Sequence, residues 1–346
     1  MTTVETKESA AMQFGLFGSA QAARGGPDVD SGAGFRQFVE YNIEAEALGY
    51  HSTFVVEHHF TGFGQISATL NLLTWIGART STLRLGTAVM VLPWHNPVLL
   101  AEQVATLDLL SGGRVDLGVG KGYRHNEFVG FGIPMEEADA RFEEALDVIT
   151  KAWTNEKPWS HEGPFWKFND IVVEPPSAQV PHPPFWMGAG SEKSIKRVVE
   201  RGHNLLLDQF ASIEQIGERV AFYKREVEAA GGTFDPMKVG VARSVNVVST
   251  EDDRQKAIEA RVAGMRRMSK LAQTPAGDNK ATLATYDETN EAAEAGALFG
   301  TPDQIGEKLD ALHGFGVRYL LFNAPGGIKT LRRFADDVMP AYRDKI

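Results

Sequence analysis

Short apolar, β-branched runs alternate along the chain with stretches whose apolar residues recur every three or four positions, the pattern of repeated βα units around a parallel sheet. Eight runs read as strands: Met12 to Ser19, Ser52 to His58, Arg84 to Leu92, Val115 to Gly122, Phe185 to Gly190, Asn204 to Asp208, Val239 to Val248 and Tyr319 to Pro325. Helix signals lie between them. Asn96 ahead of Pro97 predicts an N-cap, with Leu100, Val104 and Leu107 on one face. Phe142, Leu146, Ile149 and Trp153 form an apolar stripe with the charges opposite. Thr301-Pro302-Asp303-Gln304 reads as a capping box opening a helix through Ile305, Leu309 and Leu312. Eight strands with intervening helices predict an α/β fold, a (β/α)8 TIM barrel with insertions, as one domain over residues 1–346. In such a barrel, chemistry belongs to the C-terminal strand ends and the loops after them.

Two segments do not read as βα units. Residues 155–184 hold seven prolines and the aromatics Trp159, Phe165, Trp166 and Phe168, which predicts an ordered excursion against the barrel. Residues 269–300 are rich in Ala, Thr, Asn, Asp and Glu, which predicts a mobile insertion, either a lid over the site or a variable surface loop.

Composition narrows the function. The chain has 43% hydrophobic and 23% charged residues, enough apolar surface for a large core. With 35 Lys+Arg against 45 Asp+Glu the net charge is −10, and no basic run offers a surface to nucleic acid or an anionic membrane. Small molecules are the expected ligands. The absence of cysteine removes disulfides, Cys-ligated metals and a thiolate nucleophile. The polar start of the chain, with Glu5 and Glu8, is unlike a secretion signal, and no apolar run approaches the ~18 residues of a membrane helix. A cytoplasmic protein is expected.

Three groups of residues could carry chemistry. Glu57-His58-His59 closes the second strand. Neighbouring residues on a strand face opposite ways, which counts against a metal pair, and no metal site is expected. His58 at a strand end suits general acid/base work; packing at the barrel rim is the alternative. Gly118-Val119-Gly120-Lys121-Gly122 closes the fourth strand. Its alternate glycines let either a flat ligand or a neighbouring strand approach, and Lys121 supplies a cation; the spacing fails the dinucleotide fingerprint. Gly188-Ala189-Gly190-Ser191-Glu192-Lys193-Ser194 runs from strand five into a helix, with Ser191 as N-cap. That terminus could receive a phosphate or be an ordinary cap, and Arg141 could serve the same anion or pair with nearby glutamates.

Taken together, Glu57 to Gly64, Gly86 to Pro93 with His95-Asn96-Pro97, Ser111 to Arg114, Gly118 to Phe128 with Phe131-Gly132, Pro183 to Trp186, Gly190-Ser191 and Gly300 to Gln304 resemble the bacterial luciferase-like, flavin-dependent monooxygenases, among them the alkanal monooxygenase alpha chain. The resemblance runs over nearly the whole chain. It implies a TIM barrel that binds reduced FMN and reacts it with O2 to a C4a-peroxyflavin, oxygenating a small organic substrate such as an aldehyde or ketone. His58 falls on the catalytic base. Lys121 replaces a phosphate-binding arginine, and Arg141, Ser191 and Ser194 fall on the other phosphate contacts. Ala88 and Val89 match a pair joined by a non-prolyl cis peptide beneath the flavin ring, and Gly120, Gly122, Tyr123 and Gly190 lie in the cofactor-binding motifs. Gly120 stands where luciferase has a reactive cysteine, which argues against light emission as the native output.

The resemblance also implies FMNH2 supplied by a partner flavin reductase, and a homodimer or a heterodimer with a related chain. Two other readings compete with the monooxygenase. One is an F420-dependent oxidoreductase of the same superfamily, and the other a non-catalytic flavin-binding subunit. Apolar walls from Phe60, Phe63, Trp94 and Phe210 point to a hydrophobic substrate.

Overall fold

Eight parallel strands close into a barrel in the computed structural model, which describes residues 11–277 and 285–343. The strands in chain order are β1 (Gln13–Gly18), β2 (Ser52–Val55), β3 (Arg84–Thr87), β4 (Met90–Val91), β5 (Val115–Gly120), β6 (Trp159–Glu162), β7 (Lys167–Ile171), β8 (Phe185–Gly188), β9 (Asn204–Leu207), β10 (Val239–Val247), β11 (Ala297–Gly300) and β12 (Tyr319–Asn323). The ring runs β1-β2-β3-β5-β8-β9-β10-β12 and returns to β1, where Gln13 to Leu16 pair with Tyr319 to Phe322. Each barrel strand coincides with one of the eight runs predicted from the sequence. The run from Arg84 to Leu92 is broken in two between β3 and β4, where the Ala88–Val89 peptide is cis.

The helices are α1 (Ala33–Ala47), α2 (Thr69–Arg79), α3 (Pro97–Ser111), α4 (His125–Gly130), α5 (Ala138–Thr154), α6 (Glu192–Glu200), α7 (Ile213–Ala229), α8 (Glu251–Leu271), α9 (Asn290–Ala295), α10 (Pro302–Gly314), α11 (Gly327–Asp337) and α12 (Pro340–Arg343). Their starts follow from local chemistry. Asn96 Oδ1 accepts the N–H groups of Val98 and Leu99, and Pro97 brings no donor to be satisfied. Thr301 and Gln304 close a reciprocal capping box on α10, which buries Ile305, Leu309 and Leu312. None of the described helices is long and apolar enough to cross a membrane.

The N-terminal half of the barrel is filled. Phe54, Trp186 and Tyr319 meet edge to face, with ring centroids 5.6–6.4 Å apart. Asp116 accepts Trp186 Nε1 and both Nε and Nη2 of Arg84, so the polar groups in this plug have partners. The opposite end is open, which leaves room for a site where a barrel places one.

Both irregular segments contain regular structure among the described residues. Within 155–184, β6 and β7 form a hairpin against α5, where Glu144 accepts the N–H groups of Phe165 and Trp166. Gln179 ties the end of this excursion to Asp108 and Val115. The expectation for 269–300 needs correction at both ends. Its first residues complete α8, and its last four form β11, fully buried beside β10. The structure inserted between β10 and α10 therefore starts at Glu251, not at Ser269. Residues 278–284 of the expected lid lie outside the described residues.

Candidate active site

A cavity of about 1060 Å³ opens at the C-terminal ends of the strands. Its floor includes Val89, Leu206 and Leu321, directly above the aromatic plug. Its roof is α8, which presents Asp253, Lys256, Ala257, Ala260, Arg261, Gly264, Met265 and Met268 to the cavity at helical spacing. Across the mouth, the Arg267 guanidinium lies 4.6 Å from the Phe63 ring centroid, which fastens α8 to the loop after β2.

His58 lines this cavity. Strand β2 ends at Val55, so His58 and His59 are free of strand alternation and take different partners. His58 Nδ1 lies 3.2 Å from the Phe63 carbonyl, which fixes a proton on that nitrogen and leaves Nε2 as the acceptor. Burial, reinforced by the charge of Arg124, pushes the imidazole down to about 3. The ring is therefore neutral at physiological pH.

His59 turns away from the cavity. Its Nε2 lies 2.9 Å from Glu57 Oε1, which also takes His95 Nε2 at 2.8 Å and Trp94 Nε1 at 3.1 Å. Glu57 Oε2 accepts the Val91 N–H at 2.7 Å. Burial alone would raise the Glu57 pKa, but these hydrogen bonds outweigh it and hold the carboxyl at about 2. The two histidines beside Glu57 serve a buried carboxylate, and the described residues contain no cluster of three metal-ligating side chains. Sequence reasoning singled out His58 in this trio and gave Glu57 no separate role, since its partners Val91, Trp94 and His95 lie on a later segment of the chain.

The glycine run closes strand packing on one side. A Cβ on Gly118 would lie 1.8 Å from the Thr87 carbonyl oxygen, and one on Gly120 would lie 2.5 Å from Val89 Cγ2. Gly122 has φ +76°, and a Cβ there would meet Val91 Cγ1 at 2.7 Å. These glycines let the chain from β5 approach β3 and β4 closely, and Gly120 and Gly122 also border the cavity. Gly188, by contrast, has nothing within 4 Å of where a Cβ would stand.

Lys121, Tyr123, Ala88, Val89 and Gly190 also line the cavity. Lys121 Nζ sits 3.0 Å from both Asp139 oxygens. Ser191 caps α6, with its Oγ accepting the Ser194 N–H, while Ser194 Oγ accepts the N–H groups of Gly190 and Ser191. Arg141 lies outside the lining, with Nε 2.8 Å from Glu137 and its guanidinium 4.5 Å from the Phe165 ring centroid. Two of the expected apolar walls are displaced as well. Phe63 and Phe210 line the cavity, whereas Trp94 is turned to Glu57 and Phe60 is 63% exposed.

This geometry is that of a TIM barrel with an open cavity at its C-terminal face. The chain belongs to the luciferase-like monooxygenase family, whose family model matches residues 12–319. It is 28% identical over 283 residues to an FMNH2-dependent dimethylsulfone monooxygenase of Pseudomonas putida, covering 77% of this chain and 76% of that one. It is also 28% identical over 329 residues to an F420-dependent glucose-6-phosphate dehydrogenase of Kribbella flavida, covering 90% and 95%. A match of 32% identity to an uncharacterized Sinorhizobium fredii protein spans 67% of this chain and 66% of that protein. Among solved structures, the monooxygenase RslO1 of Streptomyces bottropensis superposes with a TM-score of 0.82 at 26% identity, over 96% of this chain and 100% of that chain.

Proposed function

We propose that the protein is the oxygenase of a two-component monooxygenase, which takes reduced FMN from a partner flavin reductase in the cytoplasm and uses O2 to oxygenate a small hydrophobic substrate such as an aldehyde or ketone. One observation carries the reading: a continuous cavity joins His58 to Lys121 and Gly190 under a helical roof. Its volume of about 1060 Å³ lies just above the roughly 300–1,000 Å³ usual for ligand sites, which suits FMN with a small second molecule.

The residues present fit that cofactor. Lys121, Arg141, Ser191 and Ser194 would hold the phosphate, with Lys121 and Arg141 exchanging their carboxylate partners for it. Ala88, Val89, Gly120, Gly122, Tyr123 and Gly190 would border the ring. Bound reduced FMN would supply the reaction with O2. His58, neutral and with Nε2 unprotonated, would accept a proton at the reacting oxygen, and α8 would exclude water. Phe63, Phe210, Met265, Met268 and Phe299 give the substrate an apolar enclosure. Trp75, Leu99 and Leu110, exposed on the adjacent helices α2 and α3, offer a face to a second copy or a related chain, which sedimentation would test.

The test is anaerobic mixing with reduced FMN followed by O2, with the absorption spectrum recorded. A transient that outlasts the reoxidation of free FMNH2, and that His58→Ala shortens, supports the reading; reoxidation at the free-solution rate refutes it. The length of the match to the Kribbella flavida dehydrogenase favours, as second reading, an F420-dependent oxidoreductase. Tighter binding of F420 than of FMN would select it.

A further inference from the structure

Arg124 lines the cavity, yet it is 1% exposed and its hydrogen bonds are few and long. Nη1 reaches Glu127 Oε1 at 3.3 Å, and Nη2 reaches Tyr123 Oη at 3.4 Å and Met268 Sδ at 3.7 Å. Nε is buried without a partner among the described residues. A guanidinium has five N–H donors, so the Nε hydrogen and one Nη1 hydrogen are left over here, and the bonds that are made are long. Glu127 is a weak counter-charge. Its Oε1 already accepts the His59 N–H at 2.8 Å, and burial raises its pKa, which favours the neutral acid.

Other charged groups on the cavity wall are engaged. Arg261 donates to the carbonyls of Gln209, Ala293 and Gly296; Asp208 takes Arg219 and Tyr286; Lys121 takes Asp139. Arg124 alone combines full burial with an unpartnered nitrogen on this wall among the described residues. A buried cation with so little compensation is costly unless a ligand supplies the missing charge.

We infer that Arg124 is the anion-pairing residue of the cavity: it takes the delocalised negative edge of a bound organic molecule beside His58. Two sources share this chemistry, a carboxylate on the substrate and the anionic pyrimidine edge of reduced flavin. The planar fork suits both, since each presents two acceptors in one plane. Only the flavin source rests on the monooxygenase reading.

The test is calorimetric titration of the full-length protein and its Arg124→Met and Arg124→Lys variants. Benzoate and hexanoate are compared with their neutral amides in the absence of flavin, and reduced FMN with oxidised FMN under anaerobic conditions. Preference for the carboxylates of about ten-fold or more, abolished in Arg124→Met and partly kept in Arg124→Lys, assigns the anion to the substrate. Weakening of reduced but not oxidised FMN by a similar factor in Arg124→Met assigns it to the flavin. If a substitution changes neither, in a variant whose thermal melting shows it folded, the inference is overturned; Arg124→Lys serves where Arg124→Met does not fold. Failure of the wild-type protein to bind any FMN refutes the monooxygenase reading and leaves the carboxylate titrations to decide the role of Arg124.

Discussion

Gly120 and Val89 are packed so closely that a Cβ on Gly120 would lie 2.5 Å from Val89 Cγ2. Any side chain at position 120 would therefore compete with the Val89 side chain for the same space. Gly120→Ala is expected to lower stability by about 1–3 kcal/mol, the usual cost of overpacking, and to weaken FMN binding by moving Val89. The double variant Gly120→Ala with Val89→Ala should recover much of that loss. A double-mutant cycle in urea reads the coupling; additive effects would show that the two side chains do not compete.

Glu57 connects the end of β2 to β4 through the Val91 N–H and gathers His59, His95 and Trp94 around one oxygen. Glu57→Gln keeps the shape but turns amide hydrogens toward donors, and is expected to cost about 2–4 kcal/mol. The folded-state pKa near 2 lies below the ordinary carboxyl value of 4.5. The stabilisation is therefore complete above the unfolded pKa and is lost as pH falls from 4.5 toward 2. Urea titrations of wild type and Glu57→Gln across that window should converge at the acid end.

His58 behaves in the opposite sense to a paired histidine. Its folded pKa of about 3 lies below the ordinary imidazole value of 6.5, so the unfolded chain binds a proton that the native site refuses. Stability from this source is full above pH 6.5 and declines as pH falls toward 3. His58→Gln should flatten that slope. In the wild type, 15N chemical shifts should report a neutral ring protonated on Nδ1 throughout pH 5–8, and His58→Ala should lower turnover by about 10²–10⁴-fold.

The barrel was legible in the sequence because each strand is a short apolar run closed by helix caps whose chemistry is local, as at Asn96 and Thr301. What was hidden depends on distant partners. Ala297–Gly300 ends a stretch rich in Ala and Glu that masks it as a strand, and its burial is created by α8, α9 and β10. The polar composition of α8 reads as a surface helix, although one face roofs the cavity. Glu57 and Arg124 carry no periodic signal; their burial follows from loops that converge after β2, β4 and β5. The glycines were visible as a motif, whereas the strand contacts that require them at 118 and 120 appear only in three dimensions.

Lys121 is the cation expected to meet a phosphate, and at present both Asp139 oxygens hold its ammonium at 3.0 Å. The pair is more than half exposed on both sides, and such pairs contribute about 0–1 kcal/mol, so a phosphate can displace the carboxylate at little cost. Asp139 nevertheless opposes the phosphate by its own charge, and it also lies 3.9 Å from Arg197 on α6. Asp139→Asn should therefore tighten FMN binding by about three- to ten-fold, with the gain largest at low salt. Riboflavin, which lacks the phosphate, should bind both forms equally, and Lys121→Met should weaken FMN while leaving riboflavin unchanged. If Asp139→Asn alters riboflavin and FMN alike, Lys121 faces some other part of the ligand, and the phosphate belongs elsewhere on the rim.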